Sequence, residues 1–131
     1  MRGATMNVAA LIGRILLGLI FLVMGLNGFL NFLPGDLPSG PAGQFLSLLG
    51  QSRYVFFVAA LQVAGGVLLL ANRYVPLALV LLGPVIVNIF LFHLLMAPSG
   101  LPGAIVVAIL WGIVALHHRQ AFSGIFVHRA P

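Results

Sequence analysis

Residues 73–100, RYVPLALVLLGPVIVNIFLFHLLMAPSG, decide how the rest of the chain is read. An arginine and a tyrosine open the stretch, more than about twenty residues follow without a charge, and a Pro-Ser-Gly turn closes it. This is the pattern of a helix that crosses a bilayer with Arg73 and Tyr74 at headgroup level. Three residues inside it are out of place in a simple anchor. Pro84 has no N–H to give the Val80 carbonyl, while Asn88 and His93 carry polar groups into hydrocarbon, where each needs a partner or a function.

Of the 131 residues, 62% are hydrophobic and 5% charged. A soluble domain of this length cannot hide that much apolar surface, because its exterior still needs polar groups; the expected solvent is a lipid bilayer. Six arginines stand against one acid, Asp36, for a net charge of +5. The arginines sit singly at the edges of apolar runs and read as anchors toward anionic lipid, so nucleic acid is not an expected partner. Without cysteine the chain can form no disulfide, thiolate metal site or thiol redox centre. Arg2 and the apolar run behind it have the outline of a secretory leader. The length of that run, its interruption at Arg14 and the lack of a small-x-small cleavage site favour a retained span.

Apolar runs fall at 8–33, 54–71, 75–96 and 102–118, each near the length of about 20 residues that a helix needs to cross the hydrocarbon. The expected fold is therefore all-α, a single transmembrane domain over 1–131 with four spans in an antiparallel bundle. Arg2, Arg14, Arg73, Arg119 and Arg129 fall on the side of both termini, and only Arg53 and Asp36 on the other. Positive-inside bias places both termini in the cytoplasm. The short Asn72-Arg73-Tyr74 link makes the second and third spans antiparallel neighbours.

Small residues mark the faces that helices use to approach one another in lipid. In the first span Gly18, Gly25 and Gly28 share a face with Arg14, which either pairs inside the bundle or snorkels to the headgroups; its nearness to the N-terminal end favours snorkelling. In the second span Ala59, Gln62, Gly65 and Gly66 form one narrow face around a hydrogen-bonding amide. In the fourth, Ala104, Ala108, Gly112 and Ala115 make another stripe beside Trp111, which lies off the interfacial belt and fills a gap in the core or touches a cofactor. Residues 34–43, PGDLPSGPAG, form an outer loop. The segment after it, with Phe45, Leu48 and Leu49 among Gln44, Ser47 and Gln51, is a short interfacial helix over the bundle mouth or a helical lead-in to the second span.

By depth, Asn27 and Asn31 fall in the outer half, Gln62 near the middle, Asn88 just beyond it and His93 near the outer end. Asn27 and Asn31 share a helix face, whereas Asn88 and His93 are roughly 140° apart around a regular helix. Two readings compete for this polar set. The side chains hydrogen-bond across helices as glue, each contact contributing about 0.6–2 kcal/mol. Alternatively they line a cavity for a headgroup with carbonyl or hydroxyl oxygens, such as a quinone, with His93 at one oxygen and Gln62 or Asn88 at the other. A haem held by two histidines does not fit, because His117, His118 and His128 lie at the inner end, away from His93. A metal site lacks clustered carboxylates, and a proton relay lacks an acid inside any span. A carrier built of four helices requires an oligomer.

RILLGLIFLVMGLNGFLNFLP at 14–34, LQVAGGVLLLANRYVPLAL at 61–79 and VIVNIFLFHLLMAPSGLP at 85–102 resemble the DoxX family of small bacterial membrane proteins. The Gly-Gly-Val-Leu-Leu-Leu run and the Asn-Arg-Tyr-Val-Pro-Leu-Ala junction are the most distinctive pieces. The resemblance implies four helices in a bacterial inner (cytoplasmic) membrane and, for some members, association with quinone-dependent oxidoreductase or terminal oxidase complexes. This chain carries Gln62 where many members carry a glutamate ahead of the paired glycines, so a proton-coupled role resting on that acid is absent or altered. The expected function is a quinone-binding or accessory subunit of a membrane redox complex. The alternatives are a structural or interaction protein without chemistry, or a small-molecule carrier working as a homo-oligomer.

Overall fold

The computed structural model describes residues 2–128, the side chain of Arg2 excepted. Arg129, which entered the charge count, and the tail to Pro131 lie outside the described residues. The described residues form α1 (Arg2–Leu30), α2 (Pro41–Gln51), α3 (Tyr54–Ala71), α4 (Val75–Leu95) and α5 (Leu101–His117), with 3-10 segments at Pro98–Gly100 and Arg119–Phe126. Four segments, Gly3–Leu30, Tyr54–Ala71, Val75–Leu95 and Pro98–His117, are long and apolar enough to cross a membrane. The all-α four-span bundle expected from the apolar runs is the fold found.

Single residues set the helix ends. α1 stops at Leu30 rather than at 33 because Asn31 turns left-handed (φ 49), with its N–H donated to the Asn27 carbonyl. Hydropathy continues through Phe32 and Leu33, but the helical path does not. α3 ends on a left-handed Asn72 (φ 54), and the N–H groups of Asn72 and Arg73 return to the Leu69 and Leu68 carbonyls at 3.2 and 3.1 Å. That pair of bonds is the Schellman closure, with asparagine in the position glycine usually holds. Tyr74 is left-handed as well (φ 53), so three residues reverse the chain into α4.

The spans are neighbours in the cyclic order α1, α3, α4, α5. We call the end where α1 begins proximal and the other distal. Gly18 lies against Leu70 and Gly66, Gly25 against Val63 and Ala59, and Gly28 against Ala59. Rising numbers on α1 meet falling numbers on α3, so the two helices are antiparallel. A Cβ on Gly66 would stand 2.7 Å from the Leu22 nitrogen and 2.8 Å from the Gly18 carbonyl oxygen. Nothing there can rotate aside, since both atoms are backbone. The small face expected on α3 divides its work: Ala59 and Gly66 meet α1, while Gly65 meets Leu82 of α4.

The core joins Leu17 and Phe21 of α1, Leu69 of α3, Val75 to Ile86 of α4 and Val114 of α5. It occupies the proximal and middle parts of the bundle; beyond Ile86 no residue of α4 is buried. The stripe expected on α5 is only partly used. Ala104 is buried, but a Cβ on Gly112 would meet nothing within 4 Å, so that glycine serves no close approach inside the bundle.

α2 is a separate helix, broken from α3 at Ser52 and a left-handed Arg53 (φ 63), and not a lead-in continuous with it. It packs on α3 and sets Phe45 5.7 Å from Phe92 of α4. Gly43 is required at its first turn, because any Cβ there would collide with the Pro38 carbonyl oxygen.

Candidate functional site

The distal part of α4 carries the strongest candidate, His93. Its ring is half-buried, and Nδ1 lies 2.8 Å from the Ile89 carbonyl oxygen one turn back. A carbonyl only accepts, so Nδ1 is the protonated nitrogen and the neutral ring presents its lone pair at Nε2. The ring occupies the space a side chain at position 100 would need: a Cβ on Gly100 would lie 2.5 Å from Nε2. Phe92 meets the imidazole edge-on with centroids 5.1 Å apart, and Phe45 extends the aromatic wall into α2. The result is a fixed acceptor nitrogen beside two aromatic rings, at the end of the bundle where α4 has no buried residues.

The other four candidates do not join His93 in one wall. Asn88 is exposed on the outward side of α4 and donates from Nδ2 to the Pro84 carbonyl at 2.8 Å. Asn27 is half-buried, and its Oδ1 accepts the Leu33 N–H at 2.8 Å, closing the end of α1. Asn31 is the exposed left-handed residue of that same closure. Gln62 is 7% exposed, and no described residue hydrogen-bonds its carboxamide. At 1.5 Å per residue it lies about 13 Å nearer the proximal end than His93, too far for both to hold one small ring.

The hydrogen bonds of Asn27, Asn88 and His93 therefore run within their own segments, which corrects the expectation of cross-helix glue made from this set. A short carboxamide or imidazole on a helix reaches the carbonyl one turn back more readily than a neighbouring helix. Among the described residues, Trp111 and Arg14 make side-chain bonds that do cross. Trp111 on α5 donates its indole N–H to the Leu79 carbonyl of α4 at 3.0 Å and lies over Gly83, just before Pro84. Arg14 on α1 donates to the Leu69 carbonyl and, at 3.5 Å, to Leu70. It pairs with the end of α3, where the helix dipole is negative, rather than reaching freely to headgroups. Its position one helical turn from the proximal end of the seam, and the mid-span depth of Trp111, were the available signals.

The proximal end gathers the histidines. His117 and His118 stand edge to face with centroids 5.0 Å apart. Burial, then the neighbouring charges of His117 and Arg14, push the His118 pKa below its ordinary value.

Comparison with protein families adds one match, to the DoxX family model over residues 9–94, well over half the chain. The chain belongs to the DoxX family. No curated protein and no solved structure matches it. The matched segment takes in α1 through nearly all of α4, including His93, Asn88 and Gln62, and leaves α5 outside. Trp111 and the His117–His118 pair thus lie beyond the part of the chain that defines the family match.

Proposed function

We propose that this DoxX-family protein is an accessory subunit of a membrane oxidoreductase complex that holds a quinone headgroup at the distal end of α4. One observation carries the reading. The Nδ1–Ile89 bond leaves His93 Nε2 as a preset acceptor for the hydroxyl of a quinol, next to the aromatic wall of Phe92 and Phe45. On protonation the same nitrogen becomes a donor suited to a quinone carbonyl. The chain itself is given no catalytic residue; the redox chemistry belongs to the complex and its cofactors. In this reading the protein lies in a bacterial inner membrane with both ends of the bundle's outer strands of sequence, α1 and the segment after α5, starting or finishing in the cytoplasm.

The test is gentle purification from native membranes followed by solvent extraction and quantification of quinone per chain. Near-stoichiometric quinone that falls in His93→Ala, with the bundle still folded, supports the site. A well-folded protein without quinone rejects it.

A second reading, an interaction protein without chemistry, is favoured by Asn88. Its amide is exposed on a helix face otherwise apolar, where hydrocarbon offers nothing to its oxygen. In that case Asn88→Leu changes the oligomer or the complex while leaving bound quinone unaffected.

A further inference from the structure

The proximal end holds a recess of about 310 Å³ lined by His117, His118, Arg119, Gln120 and Ala121. It sits where α5 gives way to the 3-10 segment Arg119–Phe126. Phe122 packs back on the core, while Ile125, Phe126 and Val127 remain 66%, 84% and 58% exposed. Those three apolar residues beside the end of a membrane-spanning helix set the segment at the boundary between acyl chains and headgroups. A recess at that boundary would open at the depth of lipid phosphates.

Its charges have no counterpart. Arg119 donates Nη1 to the Leu116 carbonyl at 3.1 Å, which caps the negative end of α5 and holds the guanidinium at the rim with its other donors available. Arg14 is close enough to act on His118 from α1. The single acid of the chain, Asp36, is in the loop at the opposite end. Among the described residues no carboxylate competes for this cluster.

We propose that the recess formed by His117, His118, Arg119 and Gln120 binds a phosphate group, with the guanidinium and the imidazole N–H groups as donors. The ligand chemistry is a phosphate mono- or diester anion, supplied by an anionic lipid or by a free phosphate. This site is independent of the quinone reading, being at the other end of the bundle. Groups facing His118 are His117 on its own segment and Arg14 from α1, both cationic or able to become so. With its pKa lowered, His118 is mainly neutral at neutral pH and gains charge only on acidification, so binding strengthens as pH falls.

The experiment uses the full chain in micelles of phosphatidylcholine with a minor fraction of phosphatidylglycerol, and counts lipids retained per chain by native mass spectrometry. One phosphatidylglycerol is expected to remain, to be retained about tenfold less by Arg119→Gln, and to be held more strongly at pH 6 than at pH 8. Arg119→Lys keeps part of the retention. Arg73→Gln removes a charge from the same end of the bundle without touching the recess, and should leave retention unchanged. Displacement of the lipid by millimolar inorganic phosphate assigns the site to free phosphate; persistence assigns it to lipid. Retention equal in Arg119→Gln and the parent chain, or lost equally in Arg73→Gln, overturns the proposal in favour of a diffuse surface charge.

Discussion

The seam between α1 and α3 and the seam between α4 and α5 solve the same problem with opposite materials. α1 meets α3 backbone to backbone, through Gly18, Gly25 and Gly66, so nothing in that contact can move without separating the helices. α5 and the 3-10 turn before it meet α4 through side chains: Trp111 of α5 reaches the Leu79 carbonyl, and His93 fills the space above Gly100 in the turn. Glycine contacts maximise van der Waals packing where lipid supplies no hydrophobic drive between helices. Side-chain contacts retain polar atoms and rotamers that a ligand can use. The first seam is a close-packed scaffold, and the second keeps polar side-chain atoms, the Trp111 indole N–H and the His93 ring, within the contact.

Substitution tests this contrast in order of size. Gly66→Leu forces a branched side chain into the Leu22 and Gly18 backbone and should cost at least about 3 kcal/mol, read as loss of the monodisperse folded species in a detergent-unfolding series. Trp111→Phe keeps most of the ring but leaves the Leu79 carbonyl without its indole donor; a loss of about 1 kcal/mol is expected in the same assay. Arg14→Gln should cost a similar or smaller amount, about 1 kcal/mol, by weakening the charge at the end of α3. Gly112→Ala, facing open space, should change stability by no more than about 0.5 kcal/mol or raise it slightly. If Gly112→Ala proves as damaging as Gly66→Leu, the distinction between the seams fails.

Much of this arrangement is legible in the sequence, and the remainder is hidden for definite reasons. Charges and apolar runs delimit α3 to the residue and α4 and α5 to within one, because each is bounded by Arg, Asn, Pro or His. The end of α1 is displaced because one residue's backbone angle, at Asn31, terminates a run that hydropathy carries on to Leu33. Glycine periodicity identifies the scaffold at Gly18, Gly25 and Gly66. The same periodicity marks Gly112, which packs on nothing, since spacing reports a face and not what covers it. The polar set was legible as a list with depths. Which carbonyl each side chain reaches depends on rotamers and on neighbours, so Asn88 and His93 turn back on their own helix while Arg14 and Trp111 cross.

Gln62 bears on the same comparison. A glutamate there would bring a titratable group into the buried middle of the bundle; the amide brings only hydrogen bonds.

The most direct measurement is photoaffinity labelling of the purified protein in native lipid with an azidoquinone, followed by mapping of the labelled residues. Label concentrated on the segments around Phe92, His93 and Gly100, and reduced by His93→Ala, is the result expected. Label spread evenly over the lipid-facing surfaces, or placed on the α1–α3 seam, would contradict a quinone site between α4 and α5.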